Sequence, residues 1–225
     1  VKIPAYLYIL IGALVVSAEL THLEPLRYIL KPLLMPALIA FYVLSIGRSL
    51  TKIDRLMIAA WIFSWFGDIV LMFTGINYFL AGLLGFLITH LLYTTAFTMV
   101  RDRSVATLLK RKIWLLIPLL VYLAGLMYLI FPAMAADMRP PIVIYSIVIG
   151  VMVISALNRY GRVNDSSFAL VFGGALIFML SDSLIAVNKF LCHGSLYMAG
   201  VWIMSTYIVG QYLIAKGMLK NETQD

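Results

Sequence analysis

The sequence is poor in charge. Only 12% of its 225 residues are Asp, Glu, Lys or Arg, while 63% are hydrophobic. Soluble domains carry about 25% charged residues, so this shortage excludes an ordinary soluble enzyme before any window is read. Cysteine occurs once, at Cys192, which excludes an internal disulfide and a cysteine-rich metal site. No Gly-x-Ser-x-Gly elbow, His-Glu-x-x-His pair or phosphate loop occurs, so the common hydrolase, zinc and nucleotide signatures have no footing. Three scattered histidines leave a tri-histidine metal centre unsupported. No cofactor and no metal are expected. The alternating ~10-residue segments of a transmembrane β-barrel are missing too, and no connection is rich enough in Ser, Gly or Pro to be an interdomain linker.

Apolar runs are what remains. A hydrocarbon core of ~30 Å takes about 20 mostly apolar residues per helix, so the chain holds seven or eight spans and little else. Eight candidate helices run roughly over 4–21, 27–47, 54–74, 78–100, 113–131, 141–159, 167–189 and 195–215. The expected fold is all-α, a polytopic bundle of eight transmembrane helices forming one domain over residues 1–225. Lys2 followed by an apolar run to Val16 imitates a signal peptide, but with so many later spans an uncleaved first helix is expected. The protein is expected to be a multi-pass integral membrane protein, in the plasma (inner) membrane if bacterial.

The net charge of +7 could suggest nucleic acid, but its placement argues otherwise. The basic residues sit in short connections between apolar runs, where they set topology and meet anionic lipid headgroups. Thirteen Lys and Arg fall on the side of the N-terminus, against four (Arg27, Lys31, Arg139 and Lys189) on the other. The positive-inside rule then puts both termini in the cytoplasm.

Against this background two acids stand out. Asp68 lies in the run Phe63–Leu71 and Asp182 in the run Ile177–Ile185. A carboxylate in hydrocarbon costs at least about 2.5 kcal/mol, which makes it a candidate functional group by default. At a rise of about 1.5 Å per residue both acids fall roughly 21–23 Å from the cytoplasmic face, in the outer half of the bilayer. Gly67 and Ser181 precede them, so a neighbouring helix can approach beside each. If the two carboxyls come together, one is expected to serve as general acid and the other as base. The competing explanation is that each simply bonds a neighbour and holds helices together.

Other polar residues fall around the same centre. Glu19 and Lys31 could pair across the first two helices near the outer interface, or Lys31 could contact a lipid phosphate. His90 and Tyr93 share a helix face, as do Tyr207 and Gln211, an inward pair suited to lining or interhelical bonding. Asn188 could line a headgroup site or cap its helix. His22 and His193 lie in outer loops and are expected to be solvated. Asp68 precedes Tyr93 by 25 positions and Asp182 precedes Tyr207 by 25, which would fit a weak parallel 4+4 repeat.

These residues, in this order, resemble the YhhN family of integral membrane proteins. The likeness is carried by Lys31-Pro32-Leu33, Phe66-Gly67-Asp68, His90-x-x-Tyr93, Ser181-Asp182 and Tyr207-x-x-x-Gln211. Characterised animal and bacterial members are lysoplasmalogenases. The resemblance therefore implies hydrolysis of the vinyl ether of a lysoplasmalogen to a fatty aldehyde and a glycerophospho-alcohol. It implies a lysophospholipid substrate, contact with membrane lipids, no nucleic-acid partner and no cofactor, with the oligomeric state left open. Asp68 and Asp182 would be catalytic, with Glu19, Lys31, His90, Tyr93, Asn188, Tyr207 and Gln211 binding or supporting. Gly67 before Asp68 also resembles intramembrane aspartyl proteases, but Trp65 stands where those carry a second glycine. A small proton-coupled transporter, or a lipid-binding membrane protein without chemistry, would explain buried acids as well.

Overall fold

The computed structural model describes residues 2–99, 104 and 106–220. Arg101 and Arg103, counted above for topology, lie outside the described residues. Among the described residues there are helices and turns and no strand. Eight helices of 15 or more residues follow in order: α1 (Lys2–Leu20), α2 (Glu24–Ile46), α3 (Lys52–Val70), α4 (Ile76–Met99), α5 (Leu116–Ile130), α6 (Arg139–Leu157), α7 (Asp165–Ala186) and α8 (Ala199–Lys220). A 3₁₀ turn, Ile113–Leu115, leads into α5, and a π-helical segment, Val187–Leu191, extends α7.

Five helical stretches are long and apolar enough to cross a membrane: Glu24–Ile46, Ile76–Met99, Ile113–Ala133, Ala136–Leu157 and Asp165–Leu191. The protein is a multi-pass membrane protein. α1 is apolar but shorter over Pro4–Leu20. α3 carries Lys52, Asp54, Arg55 and Asp68, and α8 carries Gln211, Lys216 and Lys220, so these two are the polar members of the bundle.

Local chemistry accounts for the helix ends. Thr51 and Asp54 form a reciprocal capping box that starts α3, satisfying two orphan donors at once. The Asn164 side chain accepts from Ser167 N at 2.7 Å and starts α7. Gly47, at φ 64°, closes α2 in the left-handed conformation that glycine adopts without penalty. α3 ends at Val70, short of the expected residue 74, because the chain turns over Leu71–Phe73. α2 keeps its course through Pro32 and Pro36. Pro36 has no N–H for the carbonyl of Pro32, and the indole of Trp65 supplies the missing donor at 2.7 Å.

The main pairings are α3 with α4, α7 with α8, α1 with α2 and α8, and α4 with α6. Small residues set the closest of them. A Cβ on Gly174 would stand 2.8 Å from the Gly210 carbonyl, and one on Gly85 would stand 3.0 Å from the Phe63 carbonyl. Backbones therefore touch where glycines face each other. α5 is different: of its residues only Ile130 is buried, so it leans on the bundle as an outer wall.

Candidate active site

The packing of α4, α6 and α7 brings three polar groups to one point. Tyr145 on α6 donates from its hydroxyl to Asp182 Oδ2 at 2.6 Å. His90 Nε2, from α4, lies 3.0 Å from both the same carboxylate oxygen and the Tyr145 hydroxyl. His90 Nδ1 is buried and finds no partner. A proton there would be an orphaned donor, so the arrangement favours the tautomer with its hydrogen on Nε2. The buried ring of Phe178 packs against the cluster, its centre 5.0 Å from that of His90.

Asp68 has its own partner. The Tyr207 hydroxyl, on α8, donates to Asp68 Oδ2 at 2.7 Å, and the acid is only 3% exposed. Asp182 and Lys31 both lie within electrostatic reach of it. The two aspartates are thus neighbours in charge, each bonded separately.

A further network ties α3, α4 and α8 together. Gln211 Oε1 accepts from the hydroxyl of Tyr93 and from Trp61 Nε1, the latter at 3.2 Å, while its amide donates to Ser64 Oγ at 3.2 Å. Ser64 meets Thr89 at 3.1 Å. Every polar atom of the Gln211 amide group is engaged inside hydrocarbon, which is the condition for tolerating it there.

Two cavities meet beside these groups. An apolar slot runs between α4, α5, α6 and α7 from Phe86, Leu123, Ile149 and Met179 outward to Phe79, Ile130 and Ile185. Asp182, Tyr145, Ser146 and Ser183 are the polar residues on its wall. It adjoins a polar vestibule, open at the protein surface, through the shared residues Leu71, Phe79 and Ile185. Glu19, Arg27, Lys31, Asn188 and Lys189 line the vestibule.

The vestibule rim is strained. His22, His193 and Met198 are the non-glycine residues with positive φ among those described, at 54°, 48° and 53°, and all three line it. Such conformations cost about 1–3 kcal/mol each and cluster where a ligand site is held in shape.

Most of the expected residues meet in this region, with changes of partner. Glu19 pairs with Arg27 at 3.7 Å and not with Lys31: Arg27 lies on the first turns of α2 beside the end of α1, whereas Lys31 is one turn deeper and faces the vestibule. Asn188 both lines the vestibule and accepts from Leu196 N at 3.1 Å. His22 and His193 are exposed, as expected, on the vestibule rim. Tyr93 and Gln211 bond each other and sit deeper than the slot. Sequence reasoning missed Tyr145, Phe178 and the vestibule role of Lys189. For Tyr145 a signal existed: it interrupts the apolar run Ile142–Ile149 with the next residue, Ser146.

Fold and site together define a multi-pass helical membrane protein with a bonded carboxylate, imidazole and phenol beside an apolar cavity that adjoins a polar one. The YhhN family model matches residues 26–218, and the chain belongs to the YhhN family. It is similar to lysoplasmalogenase TMEM86A of Bos taurus and of Homo sapiens, 34% identical to each over 158 residues, 68% of this chain. The aligned part spans 61% of the length of those curated relatives. No solved structure matches the chain.

Proposed function

We propose that this chain is a lysoplasmalogenase-type hydrolase that cleaves the vinyl ether bond of lysoplasmalogens, releasing a fatty aldehyde and a glycerophospho-alcohol. The observation that carries this reading is the position of Asp182: bonded to Tyr145 and His90, it lies on the wall of an apolar slot, three residues before Ile185, which the slot shares with a polar vestibule. An amphiphile seated there has its chain in the slot, its headgroup in the vestibule and the bond between them near a proton donor. The similarity to two proteins named lysoplasmalogenase supports the same substrate class.

In this reading the protonated form of Asp182 delivers its proton to the β-carbon of the vinyl ether, giving an oxocarbenium ion. Water adds to the α-carbon while the Asp182 carboxylate takes up the proton it releases, which restores the starting state. The hemiacetal then collapses to aldehyde and alcohol, so one water is consumed and no redox change occurs. Tyr145 and His90 orient Asp182. Asp68, held by Tyr207, adds negative charge that stabilises the cation. All eight helices cross the membrane in this picture, with both termini cytoplasmic.

The test is aldehyde release from a defined lysoplasmenyl-ethanolamine by the purified protein in detergent, beside Asp182→Asn. Release abolished by the substitution in a folded protein is the expected result. Release that persists would remove Asp182 from the chemistry, and no release from folded wild type, with lipid flux in sealed vesicles, would make the protein a carrier.

A further inference from the structure

The vestibule concentrates the positive charge at its end of the bundle. The helix ends there carry Arg27, Lys31, Arg139 and Lys189, and three of these four line the one cavity. Arg27 is engaged by Glu19 and Glu24. Among the described residues neither Lys31 nor Lys189 has an acid within ion-pair distance. The Lys189 ammonium instead lies 4.2 Å from the centre of the Phe79 ring, and Phe79 is a residue that slot and vestibule share. Lys31 keeps only a longer-range attraction to Asp68, and Glu19, the one acid on the vestibule wall among those residues, is taken by Arg27. Two cations without a close acid partner thus line one cavity at the edge of hydrocarbon and make a site for an anion. Asn188 adds an amide N–H₂, since its carbonyl oxygen is already used by Leu196 N. The left-handed residues His22, His193 and Met198 hold the rim in place around these groups.

We infer that the vestibule is a phosphodiester subsite, with Lys31 and Lys189 as its cations, and that it sets the register of a single-chain phospholipid on Asp182. This register rests on the function proposed above. Asp182 and Asn188 are six residues apart on α7 and its π-helical extension, a rise of about 9 Å at ~1.5 Å per residue. In a 1-alkenyl glycerophospholipid seven bonds separate phosphorus from the far vinyl carbon. With single bonds of roughly 1.5 Å in a zigzag, that path spans about 8–9 Å. A phosphate held at the level of Asn188 and Lys189 therefore sets the vinyl ether at the level of Asp182. An apolar chain without that anchor is free to slide along the slot. The glycerophospho-alcohol product keeps the phosphate, so it competes for the same subsite after the aldehyde has left.

Binding can be measured without turnover. The ligands are 1-O-alkyl-sn-glycero-3-phosphoethanolamine, which lacks the vinyl ether, 1-O-alkylglycerol, which lacks the phosphate, and free sn-glycero-3-phosphoethanolamine. Each competes with a fluorescent lysophospholipid on the full chain in detergent, for wild type, Lys31→Gln and Lys189→Gln, with Lys→Arg variants as rescue and gel filtration as the folding check. The expected result is about tenfold weaker binding of the alkyl phospholipid in each Gln variant. Alkylglycerol binding should stay unchanged, and the Arg variants should recover most of the loss. Equal weakening of both alkyl ligands, or weakening of neither, overturns the subsite. Free glycerophosphoethanolamine binding as tightly as the alkyl phospholipid overturns the register and points to a soluble phosphate ester. Aldehyde release assayed on the same preparations separates the two ideas. Charge-dependent binding without release keeps the subsite and removes the hydrolase; release without charge-dependent binding does the reverse.

Discussion

Tyr145 and Asp182, 37 residues apart in the chain, are joined by a 2.6 Å hydrogen bond on the wall of the apolar slot. The bond fixes the face that Asp182 presents to a ligand. Tyr145→Phe removes the hydroxyl and leaves His90 as the remaining partner. We expect kcat for aldehyde release to fall roughly 10- to 100-fold with KM little changed, because orientation and not binding is lost. A rise in KM at constant kcat would instead make Tyr145 a lining residue.

The two aspartates should differ. Asp182→Asn is expected to reduce turnover by about 10²–10⁴-fold, the range of a lost general acid. Asp68→Asn keeps a group to accept from Tyr207 and removes only charge, so a smaller loss, about tenfold, is expected. Equal losses from both would mean a shared dyad in which neither acid works alone. Steady-state kinetics on the two purified variants decides it.

Gln211 is a stability residue. Gln211→Leu leaves Trp61 Nε1 and the Tyr93 hydroxyl without their partner in a buried site and Ser64 with Thr89 alone, and each unsatisfied group costs about 1–3 kcal/mol. Thermal unfolding in detergent should show a clear drop in Tm. An unchanged Tm would mean the three groups find other partners.

Neighbouring glycines on α7 give opposite outcomes. A Cβ on Gly174 meets the Gly210 carbonyl at 2.8 Å, whereas one on Gly173 meets nothing within 4 Å. Gly174→Ala should destabilise by about 1–3 kcal/mol through forced separation of α7 and α8. Gly173→Ala should be neutral or slightly stabilising, by about 0.5–1 kcal/mol, because alanine suits a helix better. Equal Tm values for the two variants would contradict this packing.

Trp65 and Pro36 should be coupled. The indole donates to the Pro32 carbonyl, the group that Pro36 leaves without a helical partner. Trp65→Phe is expected to cost about 1 kcal/mol in wild type and less in a Pro36→Ala background, where an N–H returns. A double-mutant cycle measures the difference; an additive result would show that the indole is not replacing the missing helix bond.

How much of this was legible can be seen residue by residue. Asp68 and Asp182 announced themselves because a carboxylate in an apolar run is a local anomaly, visible without any knowledge of neighbours. The helix positions followed in the same way, to within a few residues, from uninterrupted apolar length. The partners did not follow. The spacing of Tyr207 and Gln211 shows that they share a helix face, but not that Tyr207 bonds Asp68 across 139 residues while Gln211 bonds Trp61, Tyr93 and Ser64. The Asp68-to-Tyr93 spacing that suggested a repeat joins residues with different partners.

The sequence by itself determined that this is an α-helical membrane protein, where its helices lie, and which acids stand out of place. Those properties are carried by local composition, and the bilayer enforces them on each segment separately. Tertiary structure alone decided that Tyr145 meets Asp182, that Glu19 takes Arg27, and that Lys31 and Lys189 face one cavity. The physical reason is that helices apolar on every side carry no stripe to show which face turns inward. Orientation is set where backbones touch, as at Gly85 against Phe63 and Gly174 against Gly210, and those contacts exist only once distant segments have packed.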